Sequence, residues 1–250
     1  MRKTDYLGIH EKAYKRIMEE GRAGWSENHS LQAMVEVIIM GFNEHGIRSG
    51  KILELGCGDG NVSLEMESRG FEVSGIDIVP MAIELANRKA MGQKAKVDFQ
   101  VGDVTCLPFA DQIFDAVIDA SCSHCIIGED RIQFFAEAYR VLKSEGLFIL
   151  NCLCDDPPAN LQPSFDRESR CLIKGDIAGR YYGKVDEILK ETEEAGFINQ
   201  TWATEENDHG DIELVLYSKK QGNDEEKFRK PTPEPDARQV MGGGYRDKLQ

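Results

Sequence analysis

Three carboxylates and a glycine-rich turn carry the most chemistry in this sequence. Lys51-Ile-Leu-Glu-Leu-Gly-Cys-Gly-Asp-Gly60 runs from an apolar strand into Gly56, Gly58 and Gly60. Glycine lets the backbone turn tightly and approach a ligand closely, with a helix N-terminus alongside. Asn61 stands where a dinucleotide fingerprint needs glycine, and the Lys-Ser/Thr pair of a phosphate loop is missing. Glu54, just ahead of the turn, suits an ammonium group and not a pyrophosphate. Asp77 ends a second strand about 20 residues past the loop, where a carboxylate accepts hydrogen bonds from ribose hydroxyls. Asp103 sits at a third strand end and can accept a hydrogen bond from an exocyclic amine. The ligand so described has an ammonium, a ribose diol and an adenine amine, and it has no phosphate.

The chain supplies elements to hold those groups. Tyr6 to Glu20 and Glu27 to Gly46 predict helices, the second strongly apolar. From Lys51 onward, short apolar strands alternate with helices, the pattern of a parallel sheet. The strands are KILELG, FEVSGID, VDFQVGD, FDAVIDA and LFILNCLC, and the helices are Asn61–Arg69, Pro80–Met91 and Arg131–Leu142. Asp155 to Gly183 breaks the alternation with a polar stretch. Lys184 to Ala195 predicts a helix closed by Gly196, and INQTWATEE with IELVLYSKK predicts an antiparallel pair. Beyond Lys220 the chain is charged and rich in Pro and Gly, which predicts disorder.

ELGCGDG, GIDI, GDVTCLPFADQIFDAV and YRVLKSEGLFIL occur in that order. Together they resemble the class I S-adenosylmethionine (SAM)-dependent methyltransferase family, over roughly Trp25 to Lys219. The resemblance implies an α/β, Rossmann-like seven-stranded sheet, mostly parallel, with the last strand antiparallel and helices on both faces. It further implies an N-terminal helical cap (1–46) and a methyltransferase domain (47–220). A lid insertion after strand 5 (155–183) and a disordered tail (221–250) complete the expected organisation. Carried over by position, Gly56, Cys57 and Gly58 would hold the methionine part of SAM, with Glu54 toward its amino group. Asp77 would take the ribose, Ile78 would pack on adenine, and Asp103 with Val104 would bracket the adenine edge. Asp119 and Ala120 complete the cofactor-binding set.

The transferred methyl would then face the end of the fourth strand, Asp119-Ala-Ser-Cys-Ser-His-Cys-Ile-Ile-Gly-Glu-Asp-Arg131. Methyl transfer is an in-line displacement, so positioning supplies much of the rate. His124 is the candidate base, with a structural loop histidine as the alternative; Asp119 and Cys125 are the other catalytic candidates. The Asp/Asn-Pro-Pro-aromatic motif of methyltransferases acting on nucleobase amines is missing here. Asp156-Pro157-Pro158-Ala159 follows the fifth strand instead and lacks the aromatic. Cys122, Cys125, Cys152 and Cys154 are expected to converge on the acceptor pocket, with Cys171 in the insertion above. They read either as small apolar packing or as a set for a thiol, metalloid or soft-metal acceptor. Ser123-His-Cys-Ile-Ile127 is similar to a segment of arsenite methyltransferases, but the paired N-terminal cysteines of that family are absent. Phe165, Arg170, Arg180, Tyr181 and Tyr182 belong to the lid, which Trp25 would help to close. Arg170 and Arg180 either pair with an acceptor carboxylate or form a solvated surface.

Composition narrows the partners. The 250 residues carry 30 Lys+Arg against 44 Asp+Glu, a net charge of -14 that argues against general nucleic-acid or anionic-membrane binding. The longest apolar run, Val35 to Phe42, is far too short for a membrane span, and seven cysteines favour a reducing, cytoplasmic setting. The expected activity is methyl transfer from SAM to a small molecule, releasing S-adenosylhomocysteine, with no metal required. Its rivals are a non-catalytic SAM or metal sensor and an NAD-linked oxidoreductase. The assembly expected is a monomer or a homodimer.

Overall fold

The computed structural model describes residues 4–20 and 28–222. Trp25 and positions 223–250 of the expected tail lie outside the described residues. Parallel strands β1 (Lys51–Leu55), β2 (Glu72–Asp77), β3 (Val97–Val101), β4 (Phe114–Ala120) and β5 (Leu142–Cys154) form most of one sheet. It is completed by β9 (Phe197–Glu206) and by β10 (Ile212–Lys220), which runs antiparallel to both its neighbours. The order β3-β2-β1-β4-β5-β10-β9 reverses between β1 and β4. Reversal of this kind opens a crevice at the carboxyl ends of the strands, the usual ligand position in an open α/β sheet.

Helices cover both faces, which is why the central strands read as nearly unbroken apolar runs. On one face α2 (Asn28–Glu44) and α3 (Asn61–Ser68) bury Ile38, Phe42 and Met66 against Ile52, Ile118 and Ile149. On the other, α5 (Asp130–Val141) and α6 (Val185–Glu194) bury Phe134, Phe135 and Ile188 against Leu55, Phe148 and Leu214. α4 (Pro80–Gln93) packs on β2 and β3, and α1 (Tyr6–Glu19) lies on α4.

Two stretches differ from the sequence reading. β5 begins at Leu142, directly after α5, rather than at Leu147, and a register shift between Phe114 and Ala116 accommodates the extra residues. The insertion is not an irregular polar stretch. After a 3-10 turn it forms an antiparallel sheet of β6 (Phe165–Asp166), β7 (Cys171–Lys174) and β8 (Ile177–Tyr181). The signal was short: Gly175, at φ +62°, turns a two-residue loop in which Lys174 pairs with Ile177.

Phe148 ties the sheet to its covering layer, stacking on Phe197 at 4.8 Å and meeting Phe135 edge-on at 6.3 Å. Phe148→Ala is expected to cost ~3–5 kcal/mol of stability, measured as a lowered urea midpoint with an unchanged slope.

Candidate functional site

The glycine turn follows β1 at the crevice. Gly56, Gly58 and Gly60 all have positive φ, at 64°, 55° and 80°. A Cβ on Gly58 would lie 2.6 Å from the Tyr14 hydroxyl, and one on Gly56 would lie 2.5 Å from Cys122 Sγ. Any side chain there would therefore clash as well as strain the backbone. Asp77, at the end of β2, pins the turn from below. Its carboxylate accepts from the Gly58 amide at 2.9 Å and from the Val79 amide at 2.8 Å. Each oxygen keeps a lone pair for a further donor.

Glu54 is buried and accepts a hydrogen bond from the Ser63 hydroxyl. Burial pushes its carboxyl up to about 8 against the Ser63 hydrogen bonds, with Asp59 and Asp77 adding repulsion. Burial raises Asp77 as well. Asp59 is neutralised by Lys89 at 2.5 Å, whereas Glu54 and Asp77 form no ion pair among the described residues. With only His10 on α1 opposing the charge of Asp77, two buried acids without an ion pair among the described residues fit a ligand that brings an ammonium group. Asp103 is exposed, and its Oδ1 accepts from the Thr105 amide at 2.8 Å and hydroxyl at 2.7 Å. Ile78 packs beside Tyr14, Val104 is buried in the core, and Cys57 is buried in a cluster with Leu64, Ile83 and Phe99.

Across the crevice, Asp119 at the end of β4 is fully buried and accepts from the Cys122 amide at 2.6 Å and the Ser123 amide at 3.0 Å. Both oxygens thus hold the 3-10 turn Ser123–Cys125, so this acid positions the turn rather than reacting. Arg131 clamps the same turn from α5. It donates to the Ser123 carbonyl at 2.7 Å and to Glu191 at 2.8 and 2.6 Å, while stacking over Tyr181 at 4.3 Å. His124, carried on this turn, is 8% exposed, and its Nδ1 has no hydrogen-bond partner. Burial lowers it to about 3, with Arg180, His10 and Arg131 contributing repulsion. The imidazole is therefore neutral and a weak base in this state.

Cys122 and Cys125 flank His124, and β5, which carries Cys152 and Cys154, packs against that turn. Cys122 lies under Gly56, while Cys152 and Cys154 share one face of β5 within the hydrophobic core. Cys171 is buried, its thiol donating to the Ser169 carbonyl at 3.1 Å. Burial raises every one of the four expected thiols, Cys125 to about 11 and Cys154 to about 12, so they stay protonated. No group of three or more His, Cys, Asp or Glu among the described residues is arranged to hold a metal ion. The physical reason is the strand's two-residue period, which turns Cys152 and Cys154 into the core.

The sequence reading placed an N-terminal helical cap here but singled out none of the α1 residues that form it. Tyr6 donates to Asp130 at 2.7 Å and accepts from the Ile127 amide at 3.1 Å, and Tyr14 is buried over Gly58. The helix therefore spans the crevice from the His124 side to the glycine turn. Tyrosines eight residues apart on an amphipathic helix were the available signal.

Residues 53–150 match the model of a family described as a methyltransferase domain. Over these residues the chain is similar to class I, SAM-dependent methyltransferase domains. The domain resembles demethylmenaquinone methyltransferase of Deinococcus radiodurans, 34% identical over 116 residues that cover 44% of this chain and 45% of that one. It also resembles malonyl-[acyl-carrier protein] O-methyltransferase of Geobacter sulfurreducens, 27% identical across 76% of this chain and 71% of that one. The chain spans 26%, 45% and 42% of the length of three curated relatives it matches. Among solved structures, the fold is shared with 1,6-didemethyltoxoflavin-N1-methyltransferase of Burkholderia thailandensis. That chain superimposes with a TM-score of 0.67 at 17% identity, covering 86% of this chain and 88% of its own.

Glu54 offers a test of the methyltransferase domain's charged pocket. A carboxyl raised by folding stabilises the fold fully below its unfolded value, and that contribution is lost as the pH rises through about 8. Glu54→Gln keeps a partner for Ser63 without the charge. Its melting temperature is expected to exceed that of the wild type increasingly between pH 5 and pH 8.5. Equal gaps at both ends of that range would refute the buried, uncompensated charge.

Proposed function

We propose that this chain transfers the methyl group of SAM to a small-molecule acceptor and releases S-adenosylhomocysteine. The observation carrying this reading is the pair of buried acids, Glu54 and Asp77, set around a glycine turn and in no ion pair among the described residues. They suit the amino group and ribose of SAM. The bound donor would supply a methyl group activated by its sulfonium.

The remaining work falls to the chain's own residues. The Gly56–Gly58 backbone lets the ligand approach closely, and Glu54 faces its ammonium. Asp77 offers its two free lone pairs to the ribose hydroxyls, Ile78 packs on adenine, and Asp103 with Val104 borders the adenine edge. Ala120, at the end of β4, borders the same crevice. Asp119 and Arg131 fix the turn that bears His124 and Cys125 beside the acceptor. Spanning the crevice, α1 excludes water, which strengthens these charged contacts. With His124 a weak base, positioning is the main source of rate.

Calorimetry is expected to show SAM and S-adenosylhomocysteine binding while NAD does not. Asp77→Ala is expected to weaken that binding by roughly a hundredfold, the effect of losing charge-assisted hydrogen bonds. Binding of NAD with SAM inert would refute the reading. Methyl donation from labelled SAM across small thiols, amines and carboxylates would identify the acceptor class.

A further inference from the structure

The insertion carries two arginines near the crevice, and their surroundings separate them. Arg170 is fully occupied. It donates to the Tyr182 carbonyl at 2.6 Å, to the Asp155 carbonyl and to Asp156 at 3.1 Å, and it lies over the Phe165 ring at 5.4 Å. Arg131, also at this end of the sheet, is matched by Glu191. Arg167 is exposed and pairs with Asp156 at 3.3 Å.

Arg180 is different. It sits on β8, which packs directly against the 3-10 turn bearing His124 and Cys125. It is half-buried, and it forms no ion pair among the described residues. Its guanidinium bears on the Tyr182 hydroxyl, a neutral group that itself donates to Asp211 at 2.7 Å. Its positive charge falls on His124 and on Cys125. On the turn that β8 packs against, the buried Nδ1 of His124 has no hydrogen-bond partner among the described residues. Arg180 thus brings a planar, always-charged fork to the His124 turn, with no carboxylate paired to it among the described residues. A carboxylate is the anion whose geometry matches the fork.

We propose that Arg180 binds a carboxylate group of the methyl acceptor, so that the acceptor is a small organic acid held between β8 and the Ser123–Cys125 turn. This inference rests on the methyl-transfer reading above. It assigns to Arg180 a role in acceptor specificity and none in holding SAM.

The test uses the full chain saturated with S-adenosylhomocysteine and three small probes: acetate, benzoate and the neutral isostere acetamide. Nuclear magnetic resonance of labelled arginine side chains reads binding at Arg180. Saturable shifts with acetate and benzoate but not acetamide are expected in the wild type, and Arg180→Met is expected to bind the acids roughly tenfold to a hundredfold more weakly. Arg167→Ala serves as the control and should match the wild type. Arg180→Gln, which keeps polar donors, replaces the methionine variant should that one fail to fold. Unaltered S-adenosylhomocysteine affinity in the Arg180 variants is expected, since the donor site is elsewhere. No saturable shift in the wild type, or equal acid binding in wild type and variants, overturns the proposal. Absence of S-adenosylhomocysteine binding in the wild type instead overturns the methyl-transfer reading beneath it.

Discussion

Burial of negative charge at the carboxyl edge of the sheet is the constraint on which the rest of the structure depends. The register places Leu55 beside both Ile76 and Asp119, so Glu54, Asp77 and Asp119 end adjacent strands within one crevice. Carboxylates taken out of water need hydrogen bonds or a counter-charge. Each of the three finds hydrogen bonds, from Ser63, from the Gly58 and Val79 amides, and from the Cys122 and Ser123 amides. Those bonds shape the glycine turn and the His124 turn. Burial still outweighs those bonds, raising all three carboxyls, Glu54 to about 8 and Asp119 to about 6.

The two sides of the crevice are built on different logic. The donor side is local: a strand end, a positive-φ turn and the next strand end form within about 30 residues, as a βα unit does. The acceptor side is assembled from distant pieces. Arg131 on α5 joins the His124 turn to Glu191 on α6, Tyr6 on α1 reaches Ile127 and Asp130, and β8 closes against the same turn. The family match at residues 53–150 covers the local side, whereas α1, α6 and β8 lie outside it.

Much of the sheet was legible because its signals are local and periodic. Lys51–Leu55, Glu72–Asp77 and Phe114–Ala120 stand where the apolar runs end in acids, and the antiparallel β9–β10 pair lies on either side of its polar turn. The insertion's small sheet escaped notice because its strands are two to five residues long and only partly buried, too short for a period to register. What the cysteines do was not legible for a related reason. Their sequence positions near two strand ends were correct, yet side-chain direction within a strand and burial of the thiols decide what they meet.

By itself, then, the sequence determined the order of the strands' chemistry: glycines where the chain must turn, and acids at the ends of apolar runs. Such features depend on backbone conformation and strand period, which neighbouring residues dictate. Only the tertiary structure decided that Asp119 supports a turn, that His124 is buried and neutral, which α1 residues reach across the crevice, and that Arg170 pairs with Asp156 while Arg180 has no ion pair among the described residues. Those outcomes depend on desolvation and on contacts between residues as far apart as Tyr6 and Asp130, which no local pattern encodes.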